Sequence, residues 1–103
     1  SDLILIFDEV DSGLSGRIAT NVSEKIVKIS KNNQIIAITH SAQVASKADK
    51  HWKILKEING ENLESKLIQL SEEDRVQEIA SLISGSKITD ESQKVAYDLI
   101  KNQ

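Results

Sequence analysis

The sequence predicts an α/β fold: a parallel βαβ core followed by a hairpin and two C-terminal helices. Two short apolar runs, "LILIF" (3–7) and "QIIAIT" (34–39), flank a stretch with helical periodicity. Strand, helix, strand in that order makes the strands parallel, joined by a crossover. "NGEN" (59–62) then separates two arms rich in apolar residues, and Asn-Gly is a strong hairpin signal. The final stretch returns to helical spacing of apolar residues.

Each element has its own justification. Residues 3–7 form a continuous apolar run ended by acids, the pattern of a strand buried on both faces. Ser15 is placed to cap a helix on which Ile18, Val22, Ile26 and Ile29 share a face. "KNN" (31–33) ends it, and 34–39 reads as the second buried strand. "SAQVASKA" (41–48) reads as a short helix with Val44, Ala45 and Ala48 on one side. Strands over 51–58 and 63–70 complete the hairpin. Ser71 and Asp74 make a capping box before a helix carrying Val76, Ile79, Ala80 and Ile83. Gly85 is its stop signal. Thr89 caps a last helix with Val95, Ala96, Leu99 and Ile100. No proline, repeat or low-complexity linker divides residues 1–103, which predicts one domain. The chain enters an apolar strand directly after Ser-Asp, without a polar lead-in, which predicts a segment of a longer protein.

Composition excludes several function classes. The net charge is −3, which argues against a phosphate-seeking basic module. Three aromatics, Phe7, Trp52 and Tyr97, are too few for a base-stacking platform. The absence of cysteine rules out a disulfide frame, a thiolate metal site and a cysteine nucleophile, and fits a cytosolic protein. No apolar run approaches the roughly 18 residues of a membrane span.

The chemistry concentrates at the strand ends. Asp8 and Glu9 leave the first strand, and Thr39 and His40 leave the second. Parallel strands put their carboxyl ends on one edge, where ligands of open α/β sheets bind. Mg²⁺ takes hard oxygen ligands and keeps several waters, so one strand-end carboxylate plus nucleotide phosphates is enough to hold it. A second carboxylate can orient or deprotonate an attacking water, and a histidine can reach a terminal phosphate. Phosphoryl transfer needs these parts, since its catalysis is mostly positioning and charge neutralisation.

Here the sequence resembles a known family. "LILIFDEVDSGLSG" (3–16) is similar to the Walker B and D-loop segment of ABC-type ATPase heads, and "IIAITH" (35–40) to their switch-histidine strand. "FDEVDSGLSGR", "ITHSAQVASKADKHWKILKE" and "DRVQEIASLISGSKIT" resemble the C-terminal end of the RecN family, SMC-like bacterial ATPases of DNA repair and recombination. The resemblance implies part of a P-loop NTPase head using ATP and Mg²⁺. Asp8 would hold the metal and Glu9 would act on the hydrolytic water. Asp11, Ser12 and Gly13 would form the loop that crosses to a partner head, and His40 would contact the γ-phosphate. The implied partners are the N-terminal part of the same head, a second head in an ATP-dependent dimer, and DNA through the whole protein. The implied location is the bacterial cytoplasm, at the nucleoid, with no membrane contact.

The four glycines are 13, 16, 60 and 85, and none begins a Gly-x-x-x-x-Gly-Lys-Ser/Thr cradle. "LSG" at 14–16 imitates the ABC signature but follows the acids instead of preceding them. The residues therefore predict half of a nucleotide site, inactive in isolation. Two readings compete with it: a small Mg²⁺-dependent nuclease or phosphatase using Asp8, Glu9 and Asp11, and a non-catalytic interaction module with an acidic turn. His51 reads as a surface residue without a role, and Lys47, Lys50, Lys53 and Lys56 as a solvated face.

Overall fold

A computed structural model describes residues 4–8 and 16–101. In chain order the elements are β1 (Ile4–Asp8), α1 (Gly16–Ser30), β2 (Gln34–Ile38), α2 (Ala42–Ala45), β3 (Trp52–Asn59), β4 (Asn62–Gln69), α3 (Glu72–Ser84) and α4 (Asp90–Lys101). Ser15, the expected cap of α1, lies outside the described residues. The predicted order and types of element hold throughout. The strands shift by a residue or so, and the helix expected over 41–48 shrinks to a single turn.

β1 and β2 pair in parallel, with Ile4 opposite Gln34, Ile6 opposite Ile36 and Asp8 opposite Ile38. The two-sided burial expected of these strands is not met. Leu5, Phe7 and Ile35 are half-buried, whereas Ile4, Ile6, Ile36 and Ile38 on the other face are 47–64% exposed. The cause is coverage: among the described elements α1 alone packs on this pair, through β2. A two-stranded sheet under one helix keeps one face in water. The stripe on α1 is likewise half open, with Ile18 exposed and burial centred on Ala19 and Ser23.

β3 and β4 form an antiparallel hairpin closed by Gly60 and Glu61, with Asn59 opposite Asn62. Gly60 has a φ of +67°, the left-handed backbone that tight hairpin turns require at this position. The register places Trp52, Ile54, Ile58, Leu63 and Leu67 on one face, and all five are exposed. At the hairpin base the Leu70 N–H donates to the His51 carbonyl at 2.9 Å. Lys53 Nζ reaches Glu78 Oε2 at 2.7 Å, tying β3 to α3. This lysine is therefore paired, not part of a purely solvated face.

The core lies where α2, α3 and α4 meet. Ala42, Ala45, Ile79, Ala80 and Ala96 are buried together, with Val76, Leu82, Ile88, Leu99 and Ile100 packed around them. Alanines on all three helices allow close approach, leaving Ile79 as the main filler. The caps follow the sequence signals. Ser71 Oγ accepts from the Asp74 N–H at the start of α3, and Gly85 ends it with φ +80°. At α4, Thr89 Oγ1 accepts from the Ser92 N–H while Ser92 Oγ accepts from the Thr89 N–H. That reciprocal pair is a capping box with serine in the usual Glu position. No described helix is long and apolar enough to cross a membrane.

Candidate functional site

The parallel register decides which polar residues meet. Asp8 ends β1 opposite Ile38, so Thr39 and His40 leave β2 at the edge where Asp8 stands. Asp8 and His40 are both exposed there. Glu9, Asp11, Ser12 and Gly13 lie outside the described residues. Among the described residues no group of three or more His, Cys, Asp or Glu gathers to hold a metal ion. A single exposed carboxylate at a strand end does fit Mg²⁺, which keeps waters and takes further ligands from phosphates.

The segment after His40 is held at both ends. At its start Thr39 Oγ1 accepts from the Ser41 N–H at 2.9 Å. Ser41 caps α2, its Oγ accepting from the Val44 N–H at 3.4 Å and donating to Gln43 Oε1 at 3.0 Å. Gln43 lies against the beginning of α1: a Cβ added to Gly16 would come within 3.6 Å of its Nε2. The one-turn helix after β2 is thereby packed against the first residue of α1.

At the far end of α2 stands Arg75, from the first half of α3 and 5% exposed. Its Nη2 donates to the carbonyls of Ala45, Ser46 and Ala48 at 3.1, 3.0 and 2.6 Å. They are carbonyls of the last residue of α2 and of the turn after it, and the one of Ala45 also accepts from the Ala48 N–H at 3.3 Å. A cation at a helix C-terminal end complements the helix dipole. Desolvation holds the arginine's pKa below its ordinary value, opposed by Glu72 and Asp49. Arg75 Nε and His51 Nδ1 are buried atoms without a hydrogen-bond partner among the described residues. His51 is not the surface residue expected. Burial pushes its pKa down, Arg75 lowers it further, and Glu78 partly opposes them.

A folded-state pKa below 6.5 means that the unfolded chain binds the His51 proton more readily. Its contribution to stability is complete above about pH 6.5 and is lost as the pH falls below that value toward the folded-state pKa. Urea midpoints measured between pH 7.5 and 5.5 should fall on acidification, and His51→Gln should flatten that slope. An equal slope in both proteins would assign the effect elsewhere.

Sequence reasoning placed Asp8 and His40 at one edge but overlooked Arg75. The available signal was a charge in line with the apolar stripe of α3, four residues before Ile79. A cation on a buried stripe must find partners or cost several kcal/mol.

No family model matches the chain. It is 42% identical over 97 residues to DNA repair protein RecN of Bacillus subtilis. Over 96 residues it is 44% identical to RecN of Rickettsia prowazekii, and over 97 residues 36% identical to RecN of Treponema pallidum. These alignments cover 93–94% of this chain, which spans 17% of the length of each relative. Among solved structures it is similar to a chain from work on the ATP-driven dimerization and DNA-stimulated activation of SMC ATPases. The TM-score there is 0.60 at 27% identity, over 82% of this chain and 49% of the other. The fold is thus part of an SMC-type P-loop ATPase head, and in sequence the chain belongs to the RecN family as a counterpart of the C-terminal segment of those proteins.

Proposed function

We propose that this chain is the C-terminal part of an ATPase head acting in DNA double-strand break repair and recombination. It supplies half of an ATP site that upstream sequence and a partner head complete. The observation that carries the reading is the parallel pairing of β1 with β2, which brings Asp8 and the Thr39-His40 exit to one sheet edge. The RecN relatives and the SMC ATPase neighbour support it.

In this mechanism Asp8 would hold Mg²⁺. The ion, when bound, neutralises charge on the nucleotide phosphates. Glu9 orients the attacking water and takes its proton. His40 donates a hydrogen bond toward the terminal phosphate, where negative charge accumulates. Asp11, Ser12 and Gly13 extend to the partner head and link the two sites. The relatives extend well beyond the span matched here, room for the phosphate cradle that this sequence lacks.

The purified 103-residue chain should therefore show negligible ATP hydrolysis. Steady-state phosphate release with MgATP checks this. Robust Mg²⁺-dependent turnover by the chain alone, abolished by Glu9→Gln, would refute the half-site reading. Mg²⁺- or Mn²⁺-dependent cleavage of DNA by the same preparation would favour the nuclease alternative.

A further inference from the structure

We propose that Arg75 is a positioning residue for His40, holding the end of β2 in place from α3 through the one-turn helix between them. The inference deepens the nucleotide-site reading, on which its catalytic relevance rests, but the geometry behind it involves no nucleotide.

A helix of four residues cannot hold itself in water, because nucleation is unfavourable and so short a helix has few internal bonds. α2 is such a helix, and it begins two residues after His40. Its N-terminal end is fixed locally by Ser41 and Thr39. Its C-terminal end is fixed by a residue 27 to 30 positions away: Nη2 of Arg75, bridging the carbonyls of Ala45, Ser46 and Ala48. Arg75 is itself anchored, its N–H donating to the Ser71 carbonyl at 2.8 Å. The helix that carries it is locked into the core by Ile79 and Ala80, both fully buried. The chain of support runs from the core through α3 and Arg75 to α2, then to Ser41 and His40. Remove the guanidinium and the carbonyls of Ala45, Ser46 and Ala48 lose the donor they share, so that this end of α2 loses its side-chain tie to α3. The apolar packing of Ala42 and Ala45 in the core and the contact of α2 with α1 remain. The same helix holds the hairpin through Glu78, so α3 is the common support for the elements on both sides of it.

The test uses the intact chain, in which His40 and His51 are the two histidines, so their imidazole signals are assigned by one His51→Gln variant. In a ¹H–¹³C correlation spectrum, Arg75→Met should move the His40 imidazole signals toward those of an unstructured histidine. The amides of Ile79 and Ala96 should stay in place. Exchange of the Ala45 and Ser46 amides should quicken about tenfold or more, as local opening becomes easier. Arg75→Lys, which keeps a cationic donor, should restore most of the His40 shift. An unchanged His40 signal in a folded Arg75→Met chain would overturn the proposal, as would a Lys variant no better than Met. If Arg75→Met does not fold, hydrogen exchange in the unmodified chain decides. Opening of Ala45 and Ser46 at the same free energy as Ile79 supports coupling of α2 to α3, and much easier opening overturns it. None of these readouts involves ATP, so loss of the nucleotide reading would leave them standing, and their failure would not touch it.

Discussion

Ile79→Ala should destabilise the chain by about 3 kcal/mol, within the range of roughly 2–5 kcal/mol for such truncations in a closed core. Ile79 is fully buried, and the other buried hydrophobics packed with it are alanines. Its side chain is the one large fully buried apolar group among the described residues, and truncation leaves a cavity that the partly buried Leu82, Ile88, Leu99 and Ile100 at the edge of the cluster would close only in part. For a domain of this length, whose total stability is marginal, the loss lowers Tm by on the order of 15 °C. Thermal unfolding followed by circular dichroism measures it, with Ile58→Ala as the comparison. Ile58 is 81% exposed on the hairpin, so its truncation should change stability by less than about 0.5 kcal/mol. Equal effects at the two positions would mean that the helical cluster is not what holds the chain together.

That contrast also marks where the sequence was legible. Periodicity and caps identified every element. Ser71, Gly85, Thr89 and Gly60 act as their residue types predict because caps and tight turns are local, decided within four residues. Parallel pairing followed from chain order alone, since an intervening helix forces the crossover. Burial was less legible, because it depends on what covers a face. "LILIF" and "QIIAIT" carry the composition of two-sided burial, yet one side of this sheet has no covering element among the described residues. The alternation at Trp52, Ile54 and Ile58 likewise describes a face that is open here. Long-range polar contacts were the least legible. The partners of Arg75 are backbone carbonyls 27 to 30 residues away, and carbonyls leave no mark in a sequence. Lys53 and Glu78 are each unremarkable until the hairpin lies beside α3.

The roles proposed at the sheet edge predict a graded pattern of loss in the full-length protein that carries this segment. Glu9→Gln keeps the volume and a hydrogen-bonding amide but removes the base, so MgATP should still bind while turnover falls about 10²–10⁴-fold. His40→Ala removes one donor to the developing phosphate charge and should cost about 10²-fold or more. Its KM should change little, because the interaction strengthens mainly in the transition state. Asp8→Asn should act differently, raising the Mg²⁺ concentration needed for half-maximal turnover, since a neutral amide is a weaker ligand for a hard cation than a carboxylate. The three signatures separate binding, proton transfer and charge stabilisation, and the parallel register brings two of the positions, Asp8 and His40, toward one edge. A metal-dependent nuclease using Asp8, Glu9 and Asp11 as one acid cluster predicts another outcome: all three carboxylates would share a metal dependence and His40 would not matter. Steady-state kinetics over a Mg²⁺ titration distinguishes the two. Full turnover in His40→Ala would remove the second strand end from the mechanism, and with it the reason the pairing of β1 and β2 bears on function.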